Sequence, residues 1–119
     1  MMMIDFKDKY TLKERKEESL KIRKKYPDRI PIIVKIGPNM ILDKNKYIVP
    51  KDLSIGQFIY VLRKRMKLPP EKAVFIFING VLPPTSSFIE QIYNKYMEDD
   101  GFLYMYFCGE NTFGYFLLY

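Results

Sequence analysis

Residues 54 to 67 spell an amphipathic helix, and a helix with a single apolar stripe needs a sheet or another helix to lie on. Ser54 and Gln57 make a capping box, in which the serine hydroxyl accepts from a first-turn N–H and the glutamine reaches back to the cap. Ile55, Phe58, Ile59, Leu62 and Met66 share one face, at offsets of 3, 4, 7 and 11 from Ile55. Arg63, Lys64, Arg65 and Lys67 take much of the remaining surface, and Leu68-Pro69-Pro70 stops the helix.

The runs around this helix read as strands. Ile30-Pro31-Ile32-Ile33-Val34-Lys35-Ile36 is β-branched, Gly37-Pro38-Asn39 turns the chain, and Lys46-Tyr47-Ile48-Val49 returns until Pro50. The connection is too short for a crossover helix, so the two strands are expected to pair as an antiparallel hairpin. Ala73-Val74-Phe75-Ile76-Phe77-Ile78 is almost wholly apolar and is expected to be a strand with little solvent exposure. Asn79-Gly80 is a two-residue hairpin turn, with Val81-Leu82 as a brief return. Ser87 with Glu90 predicts a third capping box opening a short helix through Tyr96, and Phe102 to Phe107 is the last strand.

Upstream, Thr11 and Glu14 form a further capping box. Leu12, Ser19, Ile22 and Tyr26 make a narrow stripe at helical spacing, while Lys13, Glu14, Arg15, Lys16 and the other charges are expected to be solvated. So thin a face suits a peripheral helix laid on a domain, and Pro27 ends it. The order helix, β, β, α, β, short α, β predicts an α+β chain folded as a β-grasp (ubiquitin-like) roll, and an extension of two N-terminal helices is expected ahead of it.

Composition narrows the chemistry. The chain of 119 residues has no His, one Cys and no Trp, which leaves no Ser–His or Cys–His pair and no His-ligated zinc. Cys108 lies in the apolar run Met105-Tyr106-Phe107-Cys108, where a structural thiol is expected. Enzyme activity and a bound cofactor are therefore not expected. A net charge of +6 favours acidic partners. A basic nucleic-acid-binding domain is disfavoured, because the aromatics fall on predicted strands and the cations stand beside acidic neighbours on helices. No apolar run approaches the ~20 residues of a membrane span, Met1-Met2-Met3-Ile4 is too short for a signal-peptide core, and a single Cys suits a reducing cytoplasm.

Lys24-Lys25-Tyr26-Pro27-Asp28-Arg29-Ile30-Pro31-Ile32-Ile33-Val34 resembles the autophagy ubiquitin-like modifiers, the family of GABARAP and the microtubule-associated light chains. The likeness continues through Tyr47-Ile48-Val49-Pro50-Lys51-Asp52-Leu53, Gly56-Gln57-Phe58, Leu62-Arg63-Lys64-Arg65 and Val81-Leu82-Pro83-Pro84-Thr85-Ser86 to Gly109-Glu110-Asn111-Thr112-Phe113-Gly114, and is strongest to the GABARAP branch. It implies an N-terminal helical extension (1–26), a ubiquitin-like domain (27–114) and a C-terminal peptide (115–119) that is removed.

The resemblance also implies a function in autophagosome formation. A cysteine protease would cut between Gly114 and Tyr115, just after Phe113. Activating and conjugating enzymes would then carry the new carboxylate to the amine of phosphatidylethanolamine, anchoring a monomeric cytoplasmic protein to autophagosome or other vesicle membranes. Glycine suits this chemistry because its acyl carbon is unhindered and its backbone adopts unusual angles.

It implies further a groove for acidic aromatic-x-x-aliphatic peptides of receptors and adaptors. One pocket would be lined by Glu18, Ile22, Pro31, Lys46, Ile48 and Phe102. The second would be lined by Tyr47, Val49, Pro50, Leu53, Phe58, Val61 and Leu62, with Lys44, Lys46, Arg29 and Arg65 meeting the acidic flank. By helical spacing alone Phe58 and Leu62 are ordinary core, and Val61 lies off the apolar face. Each buried anchor would contribute ~1.5–3 kcal/mol and each exposed ion pair ~0.2–1 kcal/mol, which suits low-micromolar binding near −8 kcal/mol overall.

Three departures from the family are visible, one being that the residues before Tyr10 match poorly. The connection from Ile36 to Lys46 is shorter, and Gly101 stands where an aromatic is common, implying a looser floor to the first pocket. The competing function is a non-conjugated β-grasp adaptor that keeps the groove and all its C-terminal residues.

Overall fold

The computed structural model describes residues 5–109. Its elements run α1 (Phe6–Lys9), α2 (Leu12–Lys25), β1 (Arg29–Ile36), β2 (Lys46–Pro50), α3 (Ile55–Met66), β3 (Val74–Phe77), α4 (Ile89–Tyr96) and β4 (Leu103–Gly109). The strands make one sheet in the order β2-β1-β4-β3. β1 pairs antiparallel with β2 and parallel with β4, and β3 runs antiparallel to β4. The expected hairpin is present, and the sheet is mixed.

Both faces of β1 are covered, which explains its nearly unbroken apolar sequence. Ile30, Ile32 and Val34 pack in the main core with Ile55, Phe58 and Leu62 of α3 and with Leu103, Met105 and Phe107 of β4. Ile33 points to the other face and joins Phe6, Ile22 and Phe102 in a smaller cluster beneath α1 and α2. The sheet therefore lies between the N-terminal helices on one side and α3 on the other. Each fully buried aliphatic or aromatic side chain on α3 contributes ~1.5–3 kcal/mol of burial.

Local signals in the sequence act where they stand. The capping boxes Thr11–Glu14 and Ser54–Gln57 are closed by both hydrogen bonds. Asn79 and Gly80 have φ of 51° and 75°, and Ile78 and Val81 exchange both main-chain hydrogen bonds around them at 2.9 Å.

Four expectations are corrected. The third cap sits one residue later: Phe88 is the N-cap of α4, and the Gln91 side chain accepts from its N–H at 3.0 Å, with Ser87 and Glu90 taking no such role. β3 is an edge strand in which Ile76 is buried while Val74, Phe75 and Phe77 stay half-buried, because only one of its sides has a neighbouring strand. On α2, Leu12 and Tyr26 are exposed and Ser19 and Ile22 carry the burial. Arg15, expected in solvent, turns inward to pair with Asp100.

That pair fastens the N-terminal helices to the sheet. The Arg15 Nε donates to Asp100 Oδ2 at 2.9 Å, and its Nη1 donates to the carbonyl of Tyr10 at 2.6 Å. Asp100 also accepts from the Phe102 N–H at 2.9 Å and from the Tyr104 hydroxyl, and its carbonyl accepts from Ser19 Oγ. Gly101, at φ +85°, permits this approach: a Cβ there would lie 2.4 Å from Ser19 Oγ. The floor expected to be loose at this glycine is instead closed, with Phe102 wholly buried under α2. Breaking a buried pair leaves an uncompensated charge, so Asp100→Ala should cost roughly 3–5 kcal/mol in urea unfolding. A loss below about 1 kcal/mol would show that the helices are held by apolar packing alone.

Candidate functional site

β2 is the open edge of the sheet, and its main chain has a definite orientation. The Val34 N–H donates to the Asn45 carbonyl at 2.7 Å, and the Lys51 N–H donates to the Asp28 carbonyl at 3.0 Å. Between these bonds Ile32 faces Tyr47 and Ile30 faces Val49, so Tyr47 and Val49 turn their main-chain groups toward β1. Lys46 and Ile48 consequently turn theirs outward. An extended segment can add to that edge. Arg29 Nη1 lies 3.4 Å from the Ile48 carbonyl, a thin cover over the edge.

Side chains alternate across this strand. Ile48 packs on the cluster of Phe6, Ile22, Ile33 and Phe102, and Pro31 pairs with it across the hairpin. Lys46 is ion-paired to Glu18 of α2. Tyr26, Arg29, Lys44, Lys46 and Ile48 line a hollow of about 380 Å³ with a basic mouth. On the opposite face Tyr47 and Val49 enter the main core, where the Tyr47 ring meets Phe58 edge-on at 5.7 Å. Two larger hollows of about 920 Å³ lie elsewhere, and neither is lined by a β2 residue.

Residues 14–114 match the family model described as autophagy protein Atg8 ubiquitin like. The chain is 54% identical over 116 residues to autophagy-related protein 8 of Schizosaccharomyces pombe, covering 95% of this chain and 96% of that one. It is 50% identical over 119 residues to autophagy-related protein 8d of Arabidopsis thaliana, covering 98% and 99%. This chain belongs to the Atg8 family. It is a ubiquitin-like modifier of autophagy.

The fold agrees with solved members. The crystal structure of Trypanosoma brucei ATG8 superposes with a TM-score of 0.85 at 40% identity, covering 92% of this chain and 97% of that one. Plasmodium falciparum Atg8, solved in complex with a Plasmodium falciparum Atg3 peptide, superposes with a TM-score of 0.80 at 31% identity, covering 88% and 95%.

The predicted groove residues divide into floor and rim. Glu18, Lys46 and Ile48 are partly accessible at the first pocket, above the buried Ile22, Pro31 and Phe102. At the second, Phe58 and Leu62 are wholly buried and Tyr47 and Val49 nearly so, all four within the main core. Leu53 is half-buried, and Pro50 and Val61 are exposed. Arg29, Lys44 and Lys46 surround the first hollow, while Arg65 stands over the Tyr47 ring, to which Lys44 also reaches. The spacing of the sequence did not single out Tyr26 as a lining residue. Its position between the end of α2 and Pro27 is the signal that places it at the mouth.

The electrostatics of the second wall are unusual. The Tyr47 hydroxyl is the one buried side-chain polar atom among the described residues without a hydrogen-bond partner, a situation that costs ~1–3 kcal/mol. Burial raises the Tyr47 pKa, with Arg65 lowering it and Asp43 raising it in smaller measure. Arg63, by contrast, is committed to structure, donating to the carbonyls of Lys72, Pro69 and Pro70. Gly114, Tyr115 and Phe113 lie outside the described residues.

Cys108 is wholly buried on β4, and burial pushes its thiol up from the ordinary value, reducing the thiolate at neutral pH. In native protein at pH 7.5 it should react with a disulfide reagent at least about tenfold more slowly than in urea-unfolded protein. Equal rates would show that the β3–β4 end of the sheet opens readily.

Proposed function

We propose that this Atg8 family member is cut after Gly114 and joined through that glycine to phosphatidylethanolamine, and that lipid-anchored molecules gather receptors and adaptors through the β2 edge. The open edge of β2, with the hollow beside Lys46 and Ile48 on one face, is the observation that carries the recruitment half. An aromatic side chain would enter beside Ile48, an aliphatic one would rest near Leu53 and Val61, and the peptide main chain would pair with Lys46 and Ile48. The basic mouth made by Arg29, Lys44 and Lys46 would favour acidic residues ahead of the aromatic anchor. The incoming strand would displace Arg29 from the Ile48 carbonyl.

The conjugation half is supported by family membership and by the Phe113-Gly114 pair at the end of the matched region. A cysteine protease would hydrolyse the Gly114–Tyr115 amide. An activating enzyme would adenylate the freed carboxylate and take it as a thioester, and a conjugating enzyme would pass the acyl group to the lipid amine, forming an amide and releasing the thiol. The Plasmodium Atg8 complex with an Atg3 peptide supports a conjugating enzyme as partner. The chain then acts as the transferred group rather than as catalyst, works on autophagosome or other vesicle membranes, and needs no bound cofactor.

Gly114→Ala should fold like the parent and yield no lipid-linked band in cells, while intact mass of the parent should show loss of residues 115–119. Full-length mass in every fraction would leave only the non-conjugated adaptor. Titration with an acidic Trp-x-x-Leu peptide should shift the amide resonances of Ile22, Lys46 and Ile48, with Kd in the low-micromolar range. Unmoved resonances at those three residues would remove the groove.

A further inference from the structure

Asp43 belongs to the β1–β2 connection and Arg65 to the last turn of α3, yet their side chains meet over the second wall of the groove. Arg65 Nε donates to Asp43 Oδ1 at 2.9 Å and its Nη2 donates to Oδ2 at 3.2 Å, a two-pronged grip. The guanidinium carbon lies 5.9 Å from the centre of the Tyr47 ring, and Lys44 Nζ lies 5.5 Å from it. Beneath them is the Tyr47 hydroxyl, buried and without a partner. Asp43 is 70% exposed and Arg65 41% exposed, so the pair is a surface clasp that solvent can loosen rather than a core bond.

A carboxylate already seated on a groove cation has a direct consequence for recognition. Arg29, Lys44 and Lys46 ring the first hollow, with Lys46 drawn to Glu18 and Lys44 reaching from there to the Tyr47 ring. Arg65 and Lys44 both stand over the Tyr47 ring, and of the two it is Arg65 whose charge is neutralised by Asp43. A peptide carboxylate reaching it between the two anchors would exchange one carboxylate for another, and the net gain would be small.

We infer that Asp43 is an internal stand-in for an acidic peptide side chain, masking Arg65 so that this cation adds little selection for acidic residues between the anchors. The clasp filters by charge at the second pocket while the first pocket's basic mouth keeps its preference for an acidic leading flank. This rests on the reading of β2 as a peptide-binding edge. It adds a residue, Asp43, that lines neither predicted pocket, and it reassigns Arg65 from the acidic flank to the space between the anchors.

The test is a titration of the full chain with two peptides, identical but for Glu or Gln at the two positions between aromatic and aliphatic anchors. Parent protein should bind both within about twofold. Asp43→Asn should bind the Glu peptide about two- to fivefold more tightly than the parent does, with the Gln peptide unchanged, as expected for an exposed pair. The gain should vanish in 0.5 M salt and in the double variant with Arg65→Gln. If Asp43→Asn leaves the Glu peptide unchanged, or tightens both peptides equally, the masking role is overturned while the groove stands. If the parent binds neither peptide, the groove reading fails and the inference falls with it.

Discussion

The parallel pairing of β1 with β4 organises everything else in the molecule. Residues 32–36 lie beside residues 103–107, segments far apart in sequence, and two parallel strands cannot be joined by a tight turn. The long intervening chain must leave the sheet and return, and α3 fills that path with its apolar stripe on the sheet. With both central positions taken, β2 and β3 can only be edges. The accessibility of Lys46 and Ile48 is thus settled by a pairing in which neither takes part.

The N-terminal helices complete the arrangement from the other side. β1 has apolar side chains on both faces, so a bare sheet would leave Ile33 in water. Phe6 and Ile22 cover it, and the Arg15–Asp100 pair with the close approach of Ser19 to Gly101 fixes where α2 lies. That position decides the first pocket, because Glu18 and Tyr26 ride on α2 and its end while Ile48 and Lys46 ride on β2. The pocket exists only as the gap between two elements that each pack on the sheet for other reasons. Its charges then couple across the gap, Glu18 to Lys46 on one face and Asp43 to Arg65 on the other.

Much of this was legible before any coordinates. The caps at Thr11 and Ser54, the Asn79-Gly80 turn, the α3 stripe and the β1–β2 hairpin are local or nearly local events, encoded within a few residues and realised where they are written. The block of residues resembling the autophagy modifiers points to a groove on β2 and α3. Readings failed where a distant partner intervened. Arg15 looked solvated because Asp100 lies far along the chain. Ala73 to Ile78 looked buried because composition does not say which strand of a sheet is outermost. Ser87 looked like a cap because Phe88 offers no side-chain oxygen, and only the path of the chain shows the helix starting there.

The sequence by itself determined the elements, their order, the lack of histidine chemistry and the family to which the chain belongs, since each depends on residue identity at short range or on a pattern read in line. Only the tertiary structure decided which predicted groove residues are buried and which are accessible, that Arg65 lies over the Tyr47 ring, and that Asp43 holds it. Burial and charge pairing are properties of neighbours in space, and residues 43 and 65 become neighbours only after the sheet has formed and α3 has been laid across it.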